Sequence, residues 1–506
     1  MSVAGLSAKG TPGGVPERAG TGIEGLDDVL GGGLLRDRLY LVEGAPGTGK
    51  TTLALRFLME GIRRGEKGLY ITLAETEEEL RAGAASHGWT LDGIDIYELL
   101  PPESLLDDSQ QQSLLYSSDL ELGETTRMAF DAIAGIAPQR IVFDSLSEIR
   151  LLAQSSLRYR RQILALKHYF AHQRATVLLL DDMTEELPER TVHSVAHGVI
   201  RLEEAAPLYG AERRRLRVVK CRGQTFRGGF HDLVIATGGL EVFPRLVAAE
   251  HHRPFGREQL TSGIGALDAL LGGGLERGSS ALILGPSGVG KSVLALQFLR
   301  EAIDRGEHAA FFAFDEDTGL LTARAAHLGI DLAAMRAAGA LTLVQVDAAE
   351  MSPGEFAHTV RACVEGNDAR TIVIDSLNGY QAAMPSEQFL LLHMHELLMY
   401  LNRRGASTFL TVTAHGLAGE MRPPVDVTYL SDTVLLMRFF QWQGRLRRAL
   451  SVIKKRTGAH EDTIREFTIG DDGIRLGDPL EDAFGGAPGL SAPDGVGSAA
   501  AFLPGT

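Results

Sequence analysis

Cysteine is scarce in this chain: Cys221 and Cys363 are the two in 506 residues. A disulfide framework and a multi-cysteine metal site are therefore excluded, and a reducing cytoplasm is the simplest compartment. Long apolar runs are also missing; none approaches the roughly 18 residues that cross a bilayer. The opening stretch MSVAGLSAKGTPGGVPERAG has no apolar centre of the kind a secretory signal needs. Positive charge is in deficit, with 50 Lys and Arg against 65 Asp and Glu, a net charge of −15. That disfavours a sequence-independent grip on nucleic acid, which sets cations against phosphates, while leaving room for a local basic surface. What the chain does have is apolar content: 44% hydrophobic against 23% charged residues excludes a mostly disordered protein.

The chain repeats itself. GIEGLDDVLGGGL, from Gly22, matches GIGALDALLGGGL, from Gly263, an offset of 241 residues. The offset holds without a gap from Gly44 and Gly285 through Lys50 and Lys291 to Glu75 and Glu316. Further on, IVFDSL (from Ile141) answers IVIDSL (from Ile372), and VVKCRG (from Val218) answers VIKKRTG (from Val452). A unit this long is a domain, not a short solenoid repeat. The expected organisation is an N-terminal arm (1–17), two homologous domains (18–247 and 248–484) joined within the polar stretch 245–260, and a Gly/Pro-rich tail (485–506) expected to be disordered.

Within the first copy, LYLVEG, GLYITLAE, RIVFDS and ATVLLLDD read as buried strands. TTLALRFLMEGIRRG and LRYRRQILALKHYFAHQ read as helices, with apolar residues three and four apart. Nearly continuous apolar strands alternating with helices predict an α/β fold, a mostly parallel sheet covered on both faces. The later part of each copy, RRLRVVKCRG with HDLVIATGGLEVF and RRALSVIKKR with IREFTIGDDGIRL, predicts antiparallel strands.

Each copy carries G-x-x-x-x-G-K-[ST] between a strand and a helix: Gly44 to Thr51, and Gly285 to Ser292. In that context the glycines turn successive N–H groups toward one anion, and the helix adds its positive end. The phosphate set is Gly44, Gly47, Thr48, Gly49, Lys50, Thr51 and Thr52, then Gly285, Ser287, Gly288, Val289, Gly290, Lys291, Ser292 and Val293. Lys50 and Lys291 should reach the β- and γ-phosphates of ATP, and the Thr51 and Ser292 hydroxyls should bind Mg²⁺. Asp144 and Asp375 end strands where a carboxylate can hold that Mg²⁺, directly or through water; the competing role is capping the next helix. Glu75 and Glu316 each stand 25 residues after the loop lysine and fit a base that activates water; a solvated acidic turn is the alternative, since Glu77 to Glu79 crowd the first.

Together these motifs resemble the RecA-like ATPases, and more closely the KaiC family of double-domain ATPases of the circadian clock, in its broad bacterial branch. The resemblance covers about residues 18 to 480 and implies tandem RecA-like P-loop domains. It further implies a homo-hexamer with nucleotide between neighbours, and clock-type or signalling partner proteins. In that picture Lys220 with Arg222, and Lys454 with Arg456, reach the phosphate bound by the adjacent subunit. Two residues i and i+2 on a strand share a face, so each pair offers two cations together, although a solvated basic edge strand would show the same pattern. The family has two adjacent catalytic glutamates; here the first copy has Ala74-Glu75 and the second Asp315-Glu316, so the first site rests on Glu75 alone. The family's second domain phosphorylates itself on an adjacent Ser-Thr pair. The matching residues are Thr428 and Tyr429, which leaves Thr428 as a single candidate, or else an ordinary β-branched strand residue.

Other signals are discounted. His393-Met394-His395-Glu396 lies in a helical pattern where i and i+2 do not share a face. Arg213 to Arg215 fit an interface or solvated edge better than a nucleic-acid site, and Trp89 and Trp442 fit packing better than base stacking. The readings in competition are an Mg·ATP-dependent ATPase and Ser/Thr autokinase acting as a switch, a nucleotide-gated scaffold, and a nucleic-acid motor.

Overall fold

Two nine-stranded sheets organise the chain, one in each of two compact units, Met1–Arg245 and Leu246–Thr506. The computed structural model describes residues 17–99, 114–183, 190–205, 210–383, 387–414, 428–471 and 473–480. All but Glu17 of the expected N-terminal arm, and the whole expected tail 485–506, lie outside them.

The strands of the first unit are β1 (Arg18–Ala19), β2 (Leu34–Leu35), β3 (Leu39–Gly44), β4 (Gly68–Thr72), β5 (Ile94–Glu98), β6 (Arg140–Asp144), β7 (Thr176–Asp182), β8 (Gly198–Ala205), β9 (Arg213–Cys221), β10 (His231–Ala236) and β11 (Gly239–Phe243). Those of the second are β12 (Gln259–Leu260), β13 (Leu275–Glu276), β14 (Ser280–Gly285), β15 (His308–Ala313), β16 (Leu341–Gln345), β17 (Ala369–Asp375), β18 (Ser407–Thr413), β19 (Thr433–Trp442), β20 (Arg445–Lys455), β21 (Arg465–Gly470) and β22 (Gly473–Pro479). The first sheet runs β5-β4-β6-β7-β3-β8-β9-β10-β11 and the second β16-β15-β17-β18-β14-β19-β20-β21-β22, the same order strand for strand. From β5 to β8, and from β16 to β19, neighbours are parallel; the last three strands of each sheet add on antiparallel. These are tandem RecA-like α/β domains.

The apolar strands explain the layers. All six residues of β3 are buried, because helices cover both faces of the parallel part. Side chains alternate across it: Tyr40 and Val42 enter one core, Leu39 and Leu41 the other. Helix 50–63 drives Leu53, Ala54, Phe57 and Leu58 into the first core. Helix 156–173 lays Tyr159, Ile163, Leu166 and Phe170 on the second. Helix 387–404 repeats that stripe with Leu390, Met394, Leu397 and Leu401. Among the described residues no helix is long and apolar enough to cross a membrane.

Candidate active site

The cradles come first. β3 ends at Gly44 and β14 at Gly285, and each runs through its loop into a helix, 50–63 or 291–304. A Cβ on Gly44 would stand 2.7 Å from the Leu202 carbonyl oxygen, and one on Gly285 2.6 Å from that of Met437. Gly49 (φ 99°) and Gly290 (φ 114°) start the helices in left-handed conformation. Gly47, Ser287 and Gly288 form exposed rims; Thr48 and Val289 are buried beneath them. Thr51, Thr52 and Ser292 are half-buried on the first helical turns, and Val293 is buried. Lys50 and Lys291 are only 7% and 8% exposed. Lys50 Nζ donates to the Gly44 and Ala45 carbonyls at 2.9 and 3.0 Å, and Lys291 Nζ to that of Pro286 at 3.0 Å.

Around Lys50 stand three carboxylates from three elements. Asp144 ends β6, and the Tyr70 hydroxyl on β4 donates to its Oδ2 at 2.5 Å. Burial raises the Asp144 pKa; Tyr70 opposes the shift, Asp182 adds to it and Lys50 opposes it. The Tyr70 phenol is pushed well up by burial and by the Asp144 charge, and a hydrogen bond with Thr51 acts against that. Asp182 ends β7 opposite Gly44, and its Oδ1 lies 2.7 Å from Lys50 Nζ. Glu75 was expected at a strand end. It lies instead in the turn beyond Thr72, where its N–H donates to Thr72 Oγ1 at 3.0 Å. Burial raises its pKa, Asp144, Glu79 and Asp182 add to the rise, and Lys50 opposes it, as suits a base.

The second site uses other partners. Asp375 ends β17, and its Oδ1 accepts from the Thr411 hydroxyl on β18. Asp315, which answers Ala74, accepts from Ser376 Oγ. Burial lowers the Lys291 pKa, against the pull of Asp375 and Asp315. Glu316 pairs with Arg324 at 2.5 Å; burial raises its pKa and Arg324 opposes the rise. Thr413 stands opposite Gly285, where the first site has Asp182. Among the described residues no group of three or more His, Cys, Asp or Glu could hold a metal alone. The donors each domain offers, a threonine or serine hydroxyl on the first helical turn and an aspartate ending a strand, are hard oxygens and fit Mg²⁺, which takes its remaining ligands from water and phosphate.

The lysines of the two K-x-R elements lie on interior strands, β9 and β20, not on edges; Arg222 and Arg456 follow just beyond the strand ends, and the two elements make matching contacts. Lys220 Nζ donates to the His193 carbonyl and Arg222 to that of Ser194, at 3.1 Å for the latter. Lys454 Nζ donates to the Thr428 and Ser431 carbonyls at 2.9 and 2.8 Å, and Arg456 to that of Tyr429 at 2.8 Å. Thr428 therefore occupies the place of His193. Val427 and the residues back to 415 lie outside the described set.

Beneath the first cradle runs a polar network. His193 Nε2 donates to Glu43 Oε2 and Arg201 Nε to Glu43 Oε1, both at 2.7 Å. Burial works to raise the Glu43 pKa, but these two hydrogen bonds and charges hold it below the usual range. The second domain has Leu284 and Leu436 where the first has Glu43 and Arg201.

The discounted groups have other partners. The Tyr380 hydroxyl meets His393 Nδ1 at 2.5 Å, Met394 is in the core and Glu396 accepts from the Ala248 N–H at 3.1 Å. Arg214 pairs with Glu204 at 3.0 Å and Arg215 with Glu203 at 2.9 Å. Trp89 packs on His87, 4.9 Å between ring centres, while Trp442 is 40% exposed. Tyr70, Asp182, Ser376, Arg324 and Thr411 were not anticipated from the sequence. Only Asp182, in the strand-ending pair Asp181-Asp182, left a visible trace there.

A profile of the KaiC ATPase matches residues 19–247 and again 260–481. The chain is 27% identical to the circadian clock protein KaiC3 of Synechocystis sp., over 93% of this chain and 93% of that protein. It is 28% identical to the circadian clock oscillator protein KaiC of Prochlorococcus marinus, over 92% of this chain and 95% of that protein. The KaiC of Picosynechococcus sp. is also 28% identical, over 90% and 89%.

Proposed function

The chain belongs to the KaiC ATPase family, and from that premise we propose an Mg·ATP-dependent hydrolase with a Ser/Thr autokinase in its second domain, working in the cytoplasm as a homo-hexameric switch. The observation that carries the reading is the buried lysine of each cradle, bonded to loop carbonyls and within electrostatic reach of the carboxylate that ends a neighbouring strand, Asp144 or Asp375. The loop N–H groups and Lys50 or Lys291 bind the phosphates of ATP. Thr51 with Asp144, and Ser292 with Asp375, would hold Mg²⁺, which supplies charge neutralisation at the phosphates. Glu75 takes the proton of the attacking water in the first domain. In the second, Glu316 does so with Asp315 in support. Lys220 with Arg222, and Lys454 with Arg456, stabilise charge on the phosphoryl group held by the neighbouring subunit.

In the second domain Thr428 Oγ competes with water. Its oxygen would bond to the γ-phosphorus as the bond to ADP breaks, and Glu316 would take the hydroxyl proton. Two features support this placement. The carbonyl of Thr428 is held by Lys454, and the first domain has a histidine, not a hydroxyl, at the same place. A phosphate there adds about −1.5 to −2 charges beside Lys454 and Arg456, enough to reset ring contacts that partner proteins read.

Native mass spectrometry with and without Mg·ATP tests the whole reading by counting chains, nucleotides and phosphates together. Six chains with bound nucleotide, and a phosphate mapped to Thr428, are expected. A lone protomer indifferent to adenine nucleotides would refute it. A nucleotide-gated scaffold is the second reading, favoured by Ala74 and by the pairing of Glu316 with Arg324. It predicts ring assembly and partner binding that survive E75Q/E316Q, with Thr428 unmodified even in the unsubstituted chain. The pairing of Arg214 and Arg215 with glutamates weighs against a nucleic-acid motor, which would show turnover stimulated by single-stranded DNA.

A further inference from the structure

Asp144 and Asp375 end equivalent strands, each flanked by two others: β7 and β4 beside β6, β18 and β15 beside β17. On the outer flank Tyr70 lies opposite Val142, and its counterpart opposite Val373 is Phe311. On the inner flank Leu180 lies opposite Val42, and its counterpart opposite Ile283 is Thr411. All four side chains are at most 1% exposed. Each domain thus sets one hydroxyl and one hydrocarbon beside its aspartate, and the two domains reverse the assignment. Tyr70 donates to Asp144 Oδ2 from outside, whereas Thr411 donates to Asp375 Oδ1 from inside.

We propose that Tyr70 and Thr411 are the positioning residues of the two metal-binding carboxylates, so that each domain holds its divalent cation through a separate and separately mutable hydroxyl. This rests on the reading of Asp144 and Asp375 given above. A carboxylate buried beside a metal keeps one orientation only while its second oxygen is hydrogen-bonded, and loss of such a partner typically weakens metal affinity by about 10- to 100-fold. Thr411 acts through its aspartate; Tyr70 acts through Asp144 and also hydrogen-bonds Thr51, the other oxygen proposed for the cation. The exchange also supplies its own rescue. Y70F gives the first domain the ring that the second already packs, and L180T then supplies the hydroxyl from the flank that the second domain uses.

The test is Mn²⁺ binding to the full-length chain with the non-hydrolysable analogue AMP-PNP, followed by electron paramagnetic resonance, with K50A and K291A assigning each ion to its domain. The unsubstituted chain should bind one ion per domain. Y70F should weaken the first-domain ion by roughly tenfold and leave the second unchanged, and T411V should do the reverse. Y70F/L180T should recover most of the first-domain affinity, which a merely structural role for Tyr70 would not produce. Two ions held as tightly in Y70F as in the unsubstituted chain would overturn this inference alone. So would failure of L180T to rescue a double variant that melts at the native temperature. No nucleotide-dependent Mn²⁺ binding in the unsubstituted chain would overturn the nucleotide-site reading, and this inference with it.

Discussion

Lys50 Nζ lies 2.7 Å from Asp182 Oδ1, and the second domain puts Thr413 where Asp182 stands. The first cradle thus holds its lysine against a carboxylate that an incoming triphosphate must displace. D182T, which copies the second domain, should tighten ATP binding to the first by about fivefold, since a unit charge about 4 Å away in a water-like medium is worth about 1 kcal/mol. Titrating a fluorescent ATP analogue into the K291A chain measures it. Weaker binding would mean that Asp182 orients Lys50 for the phosphates.

Glu75 and Glu316 should not be equally indispensable. E75Q leaves the first domain with Ala74 beside the lost base, so its hydrolysis should fall by about 10²- to 10⁴-fold. E316Q leaves Asp315, hydrogen-bonded to Ser376, and should cost less. Phosphate release from chains carrying K291A or K50A separates the two domains. A smaller loss in E75Q than in E316Q would contradict this.

His231 makes the first domain sensitive to acid. Its Nδ1 accepts from the Arg245 N–H at 2.8 Å and its Nε2 donates to the Arg227 carbonyl at 3.0 Å, an arrangement that only the neutral ring can keep. Burial, with help from the nearby arginines, lowers its pKa to about 4 from 6.5. A depressed histidine contributes stability above its unfolded pKa and loses it as pH falls from about 6.5 to about 4, up to about 3 kcal/mol. Melting temperature followed from pH 7 to pH 4 should drop steeply, and H231N should flatten the slope.

Gly49 and Gly290 cannot be replaced without strain. Both are left-handed, and an added Cβ would stand 2.9 Å from Ile235 Cδ1 in one and 2.7 Å from Ile469 Cδ1 in the other. G49A and G290A should each cost about 1–2 kcal/mol of stability and weaken nucleotide binding to their own domain by roughly tenfold. Calorimetry and nucleotide titration read the two effects separately.

The sequence made legible whatever is local. The parallel strands showed as continuous apolar runs, the cradles as spaced glycines, and the duplication as one offset, because each is written in neighbouring residues. Edge strands such as β5 were missed, since only Ile94 of its five residues is fully buried and the apolar signal is thin. The Asp182–Lys50 contact was hidden because it depends on β7 pairing beside β3 in a register no local pattern reveals. The exchange of Tyr70 for Thr411 stayed out of sight for the same reason: hydroxyls from non-equivalent strands converge on equivalent aspartates only in three dimensions.

The Glu43–His193–Arg201 network also bears on how the halves of this gene can change. Its members come from three separate segments, and the other half has Leu284, Thr428 and Leu436 in their places. Recombination that copied one short stretch between the halves would leave a buried carboxylate facing leucine, or a half-buried guanidinium with no acid. Such products would lose about 3–5 kcal/mol of stability, a cost that disfavours exchange of short stretches between the halves.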